Sequence, residues 1–497
     1  MTRIRILASA ISGLLIAASA QAEIRNVTGP MPYASTAEIY SPGGLPGTPA
    51  GDEIEAAGYV EEEYFVSGLG DVYASGEGKP RLEKSGLPYT TRILVIRPRD
   101  PARFNGIVHL TGIHPHQGGV QWNWASQLVL GSGAAYVAVN TGTDEGSRSR
   151  STPDAPVATP WIMRWFDSER YAPISWPDDD GIRWSVFADT AKLLRAKDRK
   201  ILADVDIKRV YSSGWSFLGS FQRTYINEGF HDLFRQADGK PLIDGYMIGI
   251  SSPWQNSGYL PINARSPAPP LGHPRRMLRP IDVPVIELLS QNEAQANNGK
   301  QAESRDRGPG RHRLYEVGGT SHRDLGVSIE RSYQRQLAER GHPAIRPDAA
   351  CSFDETDVPL RMLFTATMDN LDRWVTEGTP PPPSAQLEFD VSQHVAHDAF
   401  GNPKGGVRSV ALDLPLARYG APAARQCATY VPQYLLMRKN PLAAADLKRL
   451  YPGGKSDYLA RADRRIGQML AQRWLRESDA ALYRAQVRAA ADKAFAP

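Results

Sequence analysis

The chain has 497 residues, 41% of them hydrophobic and 23% charged, proportions that exclude a disordered or collagen-like polymer. Lys and Arg number 58 against 54 Asp and Glu, a formal charge of +4, too small a surplus for a protein whose main partner is nucleic acid. At roughly 150 residues per domain, the length suits about three domains or one elaborated α/β enzyme domain.

Met1 to Ala22 has the layout of a secretory signal peptide. Arg3 and Arg5 supply the positive start, Ile6 to Ala18 the apolar run, and Ala20-Gln21-Ala22 a small-x-small cleavage site. The run is too short and too rich in Ala, Ser and Gly for a membrane span. No other stretch of about 18 apolar residues occurs, so no stable membrane insertion is expected after cleavage. The expected location is a bacterial periplasm or the cell exterior.

Beyond the leader, Tyr59 to Ser67 alternates like an exposed strand, and Asp71 to Ala74 is a candidate to pair with it. Arg92 to Ile96, Gly106 to Leu110 and Ala135 to Asn140 are short apolar runs. Thr141 to Asp180, rich in Pro, Ser, Asp and Trp, is either a lid or surface decoration. A helix is predicted over Val186 to Lys197, a strand over Lys208 to Ser213, and a helix directly after it from Phe217 to Gly229. Asp244 to Ile250, Val283 to Leu289 and Arg313 to Val317 complete the strands. Short apolar strands separated by helical connections imply an α/β fold with a mostly parallel sheet covered on both faces, after an antiparallel start. A helix over Leu360 to Glu377 is followed by the stiff run Pro380 to Pro383. The pattern divides the mature chain into one α/β domain over 23–440 and a helical C-terminal extension over 441–497, its charges a solvated face.

Cys351 and Cys427 are the two cysteines of the sequence. An oxidising compartment permits a disulfide between them; two buried free thiols are the alternative. His114 and His116 form an H-x-H pair with no local third ligand, and His394, His397 and Asp398 form a second ligand-like group. Both read better as pocket or surface residues than as metal sites, and no metal is expected. No phosphate loop or dinucleotide fingerprint occurs.

The strongest chemical signal is KRVYSSGWSFLGS. A strand ends at Ser213, Gly214 permits a sharp turn, Ser216 follows, and a helix begins, the layout of a nucleophile elbow. The Phe217 amide would face an oxyanion, with Gly112 and Ile113 as backbone candidates for the second donor. The second glycine of G-x-S-x-G would fall at Leu218, whereas the first glycine after the serine is Gly219. Standing alone, Ser216 also reads as a helix N-cap. A nucleophilic hydroxyl needs a base and an orienting carboxylate. His322 stands after the last strand, and Glu293 follows the Val283 to Leu289 strand. Ser216, Glu293 and His322 thus come in the order nucleophile, acid, base, each just past a strand end. Glu287, within the strand, and Asp324, beside the histidine, are the competing acids. Trp122, Trp124, Trp161, Trp165 and Trp215 either shape a pocket or pack in the core.

GWSFLGSFQRTYINEGFHD resembles the nucleophile segment of the bacterial alpha/beta hydrolase domain-containing proteins, with Arg223, Thr224, Tyr225 and Asn227 in an Arg-Thr-Tyr-x-Asn stretch. Further matches are EEYFVSG at 62–68, SERYAPISWPDD at 168–179, YEVGGTSHRD at 315–324, LDRWVTEGTPPP at 371–382 and DAFGNPKGGVR at 398–408. The resemblance runs from about residue 30 to about 435. It implies an α/β-hydrolase fold with a serine triad carried by Ser216 and His322. The resemblance implies an acid after the strand in a Ser-Glu-x-Asp/Glu-like segment, which here reads Ser290-Gln291-Asn292-Glu293 and supports Glu293. Phe217 and Leu218 depart from the small or polar residues usual after the nucleophile. The expectation is a secreted serine hydrolase acting on a small-molecule carboxylic ester without a cofactor. The alternatives are a lactone or amide hydrolase and a non-catalytic ligand-binding protein on the same scaffold.

Overall fold

The computed structural model describes residues 23–32, 39–41, 49–114, 122–141, 163–164, 166–300, 305–322, 336, 340–341, 356–422 and 437–496. The signal segment, most of the expected lid, both cysteines, His116, Asp324, Trp161 and Trp165 lie outside them.

Among the described residues nine strands form one sheet in the order β1-β2-β3-β5-β4-β6-β7-β8-β9. They are β1 (Glu23–Thr28), β2 (Tyr59–Ser75), β3 (Pro80–Pro98), β4 (Ile107–Gly112), β5 (Ala135–Val139), β6 (Arg209–Trp215), β7 (Gly245–Gly249), β8 (Val285–Ser290) and β9 (His312–Val317). β1, β2 and β3 are antiparallel, and β3 joins the rest by an antiparallel pairing with β5. From β5 to β9 every pairing is parallel. The parallel strands are almost wholly buried, which explains their unbroken apolar runs.

The sequence pattern predicts separate strands on either side of Gly68 and Gly70, but β2 runs through both. A Cβ at Gly68 would collide with the Glu23 carbonyl of β1, and one at Gly70 would press on Ile182. These glycines admit neighbours rather than break the strand. The exposed strand expected over Tyr59 to Ser67 is also corrected. Glu63 is fully buried, bonded to Arg92 of β3, to Arg170 at 2.7 Å and to the Tyr171 hydroxyl at 3.1 Å. Ser175 exchanges backbone bonds with Thr90 at 2.8 and 3.0 Å. Through these contacts the described end of the 141–180 segment is pinned onto β2 and β3.

Helices cover both faces. On one, α1 (Pro49–Ala56) and α2 (Trp122–Ser132) flank the antiparallel end. On the other, α3 (Arg183–Arg195) and α4 (Phe217–Asn227) pack on Val108, Val210 and Ile248. The rest, in chain order, are α5 (Phe230–Leu233), α6 (Gln291–Asn297), α7 (Leu360–Thr376), α8 (Val410–Asp413), α9 (Ala444–Leu450), α10 (Gly454–Ala471) and α11 (Glu477–Ala494). A small hairpin pairs β10 (Ala417–Pro422) with β11 (Met437–Pro441).

α10 buries Tyr458, Ala462, Ile466 and Met469, and α11 buries Ala480, Tyr483, Val487 and Ala491. This spacing lays one apolar stripe along each helix. The stripes join the same core as α7 and the β6 to β9 residues Tyr211, Met247, Ile286 and Tyr315. Thr365 of α7 donates to Asp479 at 3.0 Å, and Asn370 donates to the Arg473 carbonyl at 2.8 Å. No helix among the described residues is long and apolar enough to cross a membrane.

Candidate active site

The site forms where β6 turns into α4. β6 is buried along its length, and its small residues Ser212, Ser213 and Gly214 let the nucleophile helix pack down onto the sheet. Ser216 sits in the turn at φ 59, ψ −118, a left-handed conformation that costs a non-glycine residue on the order of 1–3 kcal/mol. Neighbouring contacts hold it there. The Ser216 amide donates to the Gly249 carbonyl of β7 at 2.9 Å, and its own carbonyl accepts from the Ser220 amide at 2.9 Å. A Cβ at Gly214 would collide with the Leu218 carbonyl, and one at Gly219 would lie 2.6 Å from the Gly249 carbonyl oxygen. The second bare position of the elbow is therefore Gly219, one residue later than the pattern anticipates.

Three side chains converge at this turn. His322 Nε2 lies 2.6 Å from Ser216 Oγ, and His322 Nδ1 lies 2.9 Å from Glu293 Oε1. The carboxylate can only accept, so Nδ1 carries the proton and the Nε2 lone pair faces the serine hydroxyl. Glu293 is 1% exposed. It stands in the first turn of α6, a helix the sequence reading did not foresee, capped by Ser290, whose hydroxyl accepts from the Asn292 amide at 3.2 Å. The Ser290 hydroxyl also donates to Glu293 Oε2, and Asn292 Nδ2 donates to Oε1 at 3.1 Å.

Glu287 takes no part. Its oxygens meet Arg223 Nη2 at 2.6 Å and His312 Nε2 at 2.8 Å beneath the nucleophile helix. Burial would raise this carboxyl, but the Arg223 guanidinium and the bond from His312 hold it down at about 2. Arg223 also donates to the Ser251 carbonyl, so the arginine of the Arg-Thr-Tyr-x-Asn stretch ties α4 to β8 and to the loop after β7. Thr224 bonds both backbone groups of Leu260, at 2.9 and 3.1 Å. Asn227 bonds the Arg275 carbonyl at 2.9 Å and the Arg279 amide at 3.1 Å.

The three oxyanion candidates separate. Phe217 is the first residue of α4, where an N–H has no partner inside the helix. Ile113 is corrected: its amide donates to the Val139 carbonyl at 2.8 Å, so β5 has taken it. Gly112 alternates with Ile113 and turns its amide toward β6, whose pairing with β4 ends at Leu110 and Ser212. That amide lies past the last ladder pair.

The His114 ring rests 5.4 Å from the Phe217 ring. Asp398 accepts from the Phe400 and Asn402 amides at 2.8 and 2.9 Å, closing a turn. No group of three or more candidate metal ligands converges among the described residues. Trp122 packs edge-on against Tyr136, and Trp124 stacks on Trp215, so these three tryptophans are core residues.

A family model described as alpha/beta hydrolase domain matches residues 27–485, which takes in the site and most of the C-terminal helices. Among curated proteins nothing matches the chain. Solved structures similar to it include a fungal esterase of Rhizomucor miehei, at 9% identity over 57% of this chain and 83% of that one, TM-score 0.26. Acetyl xylan esterase 1 of a Thermoanaerobacterium species is 12% identical over 56% and 83%, TM-score 0.29. An esterase of Pyrobaculum calidifontis is 12% identical over 58% and 84%, TM-score 0.26.

Proposed function

Because the chain belongs to the alpha/beta hydrolase domain family, we propose that it is an exported serine hydrolase that cleaves a small carboxylic ester through an acyl-enzyme. The observation that carries this reading is the run of contacts from Ser216 Oγ to His322 Nε2, 2.6 Å, and from His322 Nδ1 to Glu293, 2.9 Å. Ser216 attacks the ester carbonyl while His322 takes its proton, and Glu293 balances the imidazolium. The negative oxygen of the tetrahedral adduct is met by the amides of Phe217 and Gly112, each such donor being worth about 10²–10³-fold in rate. As the adduct collapses, His322 returns the proton to the leaving alcohol. Water then repeats the sequence on the acyl-serine and releases the acid. No cofactor enters these steps.

Export rests on the leader. A cut after Ala22 would leave Glu23, the first residue of β1, as the new N-terminus. Mass spectrometry of the protein recovered from a periplasmic fraction tests that cut, and a chain retaining residues 1–22 would refute it.

The chemistry is tested with a fluorophosphonate probe. The wild type should be labelled at Ser216 and Ser216→Ala should not. Folded wild type that resists the probe would point to a binding protein instead. A panel of p-nitrophenyl esters of graded acyl length then measures turnover. Labelling without turnover across that panel would move the substrate class to lactones or amides.

A further inference from the structure

Trp215, the residue before the nucleophile, is tied to the base. Its indole Nε1–H donates to the backbone carbonyl of His322 at 3.2 Å. The ring is 4% exposed and held on several sides. It stacks on Trp124 of α2 at 3.4 Å with an interplanar angle of 18°, and Phe364 of α7 meets it edge-on at 5.6 Å and 72°. On β7 a Cβ at Gly249 would stand 2.5 Å from its Cε3 atom, so the strand is bare where the indole crosses it. A buried indole with one donor and two χ angles makes a stiff spacer once its faces are covered.

The loop that carries His322 is also anchored at its root. Gly319 donates its amide to Gln291 Oε1 at 2.7 Å and accepts from the Thr356 hydroxyl at 2.6 Å. The Trp215 bond is made to His322 itself. The indole therefore spans from the backbone that precedes the nucleophile to the backbone that bears the base.

We propose that Trp215 is a positioning residue that sets the separation of Ser216 and His322, an inference that rests on the serine-hydrolase reading. It touches no reacting atom. It acts by denying His322 the backbone drift that would lengthen the 2.6 Å contact. Displacements of about 1 Å in a catalytic constellation cost on the order of 100-fold in rate.

The test is Trp215→Phe, which keeps an aromatic ring against Trp124 and removes the N–H. Its kcat and its rate of fluorophosphonate labelling should fall by on the order of tenfold, with KM within twofold of the wild type. Met469→Ala, which opens the same core from α10 and leaves the N–H bond, should lower Tm and keep kcat within twofold. Wild-type kcat and labelling rate in Trp215→Phe would overturn the inference, as would parallel falls of Tm and kcat in both variants. A wild type that the probe does not label at Ser216 would instead reject the underlying hydrolase reading.

Discussion

Glu293→Gln isolates the proposed role of the third triad member. The glutamine has the shape of the glutamate, so the 1% exposed site needs no repacking. Its carbonyl oxygen can still accept from the Ser290 hydroxyl or Asn292 Nδ2, the two groups that hold the native carboxylate besides His322. What changes is the partner of His322 Nδ1, now 2.9 Å from an acceptor. If the amide nitrogen turns toward the ring, the imidazole must accept at Nδ1 and carry its proton at Nε2. That nitrogen then cannot take the proton of Ser216 Oγ, 2.6 Å away. If the amide oxygen turns toward the ring instead, the imidazolium loses its countercharge in a buried site. Exchanging a triad carboxylate for its amide costs roughly 10⁴-fold in kcat, about 5.5 kcal/mol of barrier.

The assay is kcat on a p-nitrophenyl ester together with the labelling rate at Ser216, with Tm as the check on folding. Both rates should drop by orders of magnitude with Tm nearly unchanged. Glu287→Gln is the internal contrast. It should lower Tm, because the Arg223 guanidinium loses its buried partner, while the Ser216 to His322 contact keeps its protonation pattern. Glu293→Gln turning over within tenfold of the wild type, beside a folded but inactive Glu287→Gln, would refute the assignment of the acid.

Arg223→Met strands the buried Glu287 carboxylate and should cost about 3–5 kcal/mol at neutral pH. Glu287 is held near 2 in the folded protein against 4.5 as its ordinary value, so its stabilisation is present above pH 4.5 and is lost as pH falls toward 2. The Tm gap between wild type and variant should therefore narrow through that window; a gap independent of pH would exclude the linkage. Glu61 behaves oppositely. Burial lifts its carboxyl to about 7, against the lowering effect of the Ser41 hydroxyl and Arg92. The folded protein holds this proton more tightly than the unfolded chain, so stability falls as pH climbs from about 4.5 to about 7. Glu61→Gln should match the wild type in Tm at pH 4 and exceed it by a few degrees at pH 8; equal values at both would exclude it. Gly219→Ala should destabilise by about 1–3 kcal/mol and slow labelling of Ser216, because its Cβ meets backbone at 2.6 Å. Gly467→Ala, with nothing within 4 Å, should gain up to about 1 kcal/mol in the C-terminal part of α10, and calorimetry of the pair reads the difference.

Topology made Ser216, Glu293 and His322 legible in the sequence. In a parallel sheet each strand delivers its C-terminal end to the same edge, so residues just past β6, β8 and β9 come near one another. Chain order and strand ends nominate them, with Glu287 and Asp324 as competing acids, and the family resemblance favours Glu293 without showing that it rides on a helix. The parts that escaped depend on partners remote in the chain. Ile113 reads as a free loop amide until β5 is seen to run as far as Val139 beside it. Glu63 reads as a solvated strand residue until Arg170 arrives from 107 positions away. Trp215 reads as a pocket or core residue until its N–H is seen to meet a carbonyl 107 positions later.

The bulky residues after the serine, which depart from the small or polar residues usual there, have a steric solution in the fold. Leu218 is 2% exposed. It folds back onto the end of β4, where a Cβ at Gly112 would stand 2.9 Å from its Cδ2 atom. Gly112 thus serves two needs with one absence: it gives Leu218 its space, and it adds no side chain of its own beside the elbow. Phe217 meets the His114 ring that follows the same strand, so the second large residue also packs at the β4 end. The shift of the second bare position from 218 to 219 belongs to the same arrangement. A side chain is tolerated at 218 because β4 has none at 112, and none is tolerated at 219 because β7 presents the Gly249 carbonyl there. The departure from the usual pattern and the pair of backbone donors proposed for the oxyanion are therefore coupled features of one packing contact between α4 and β4.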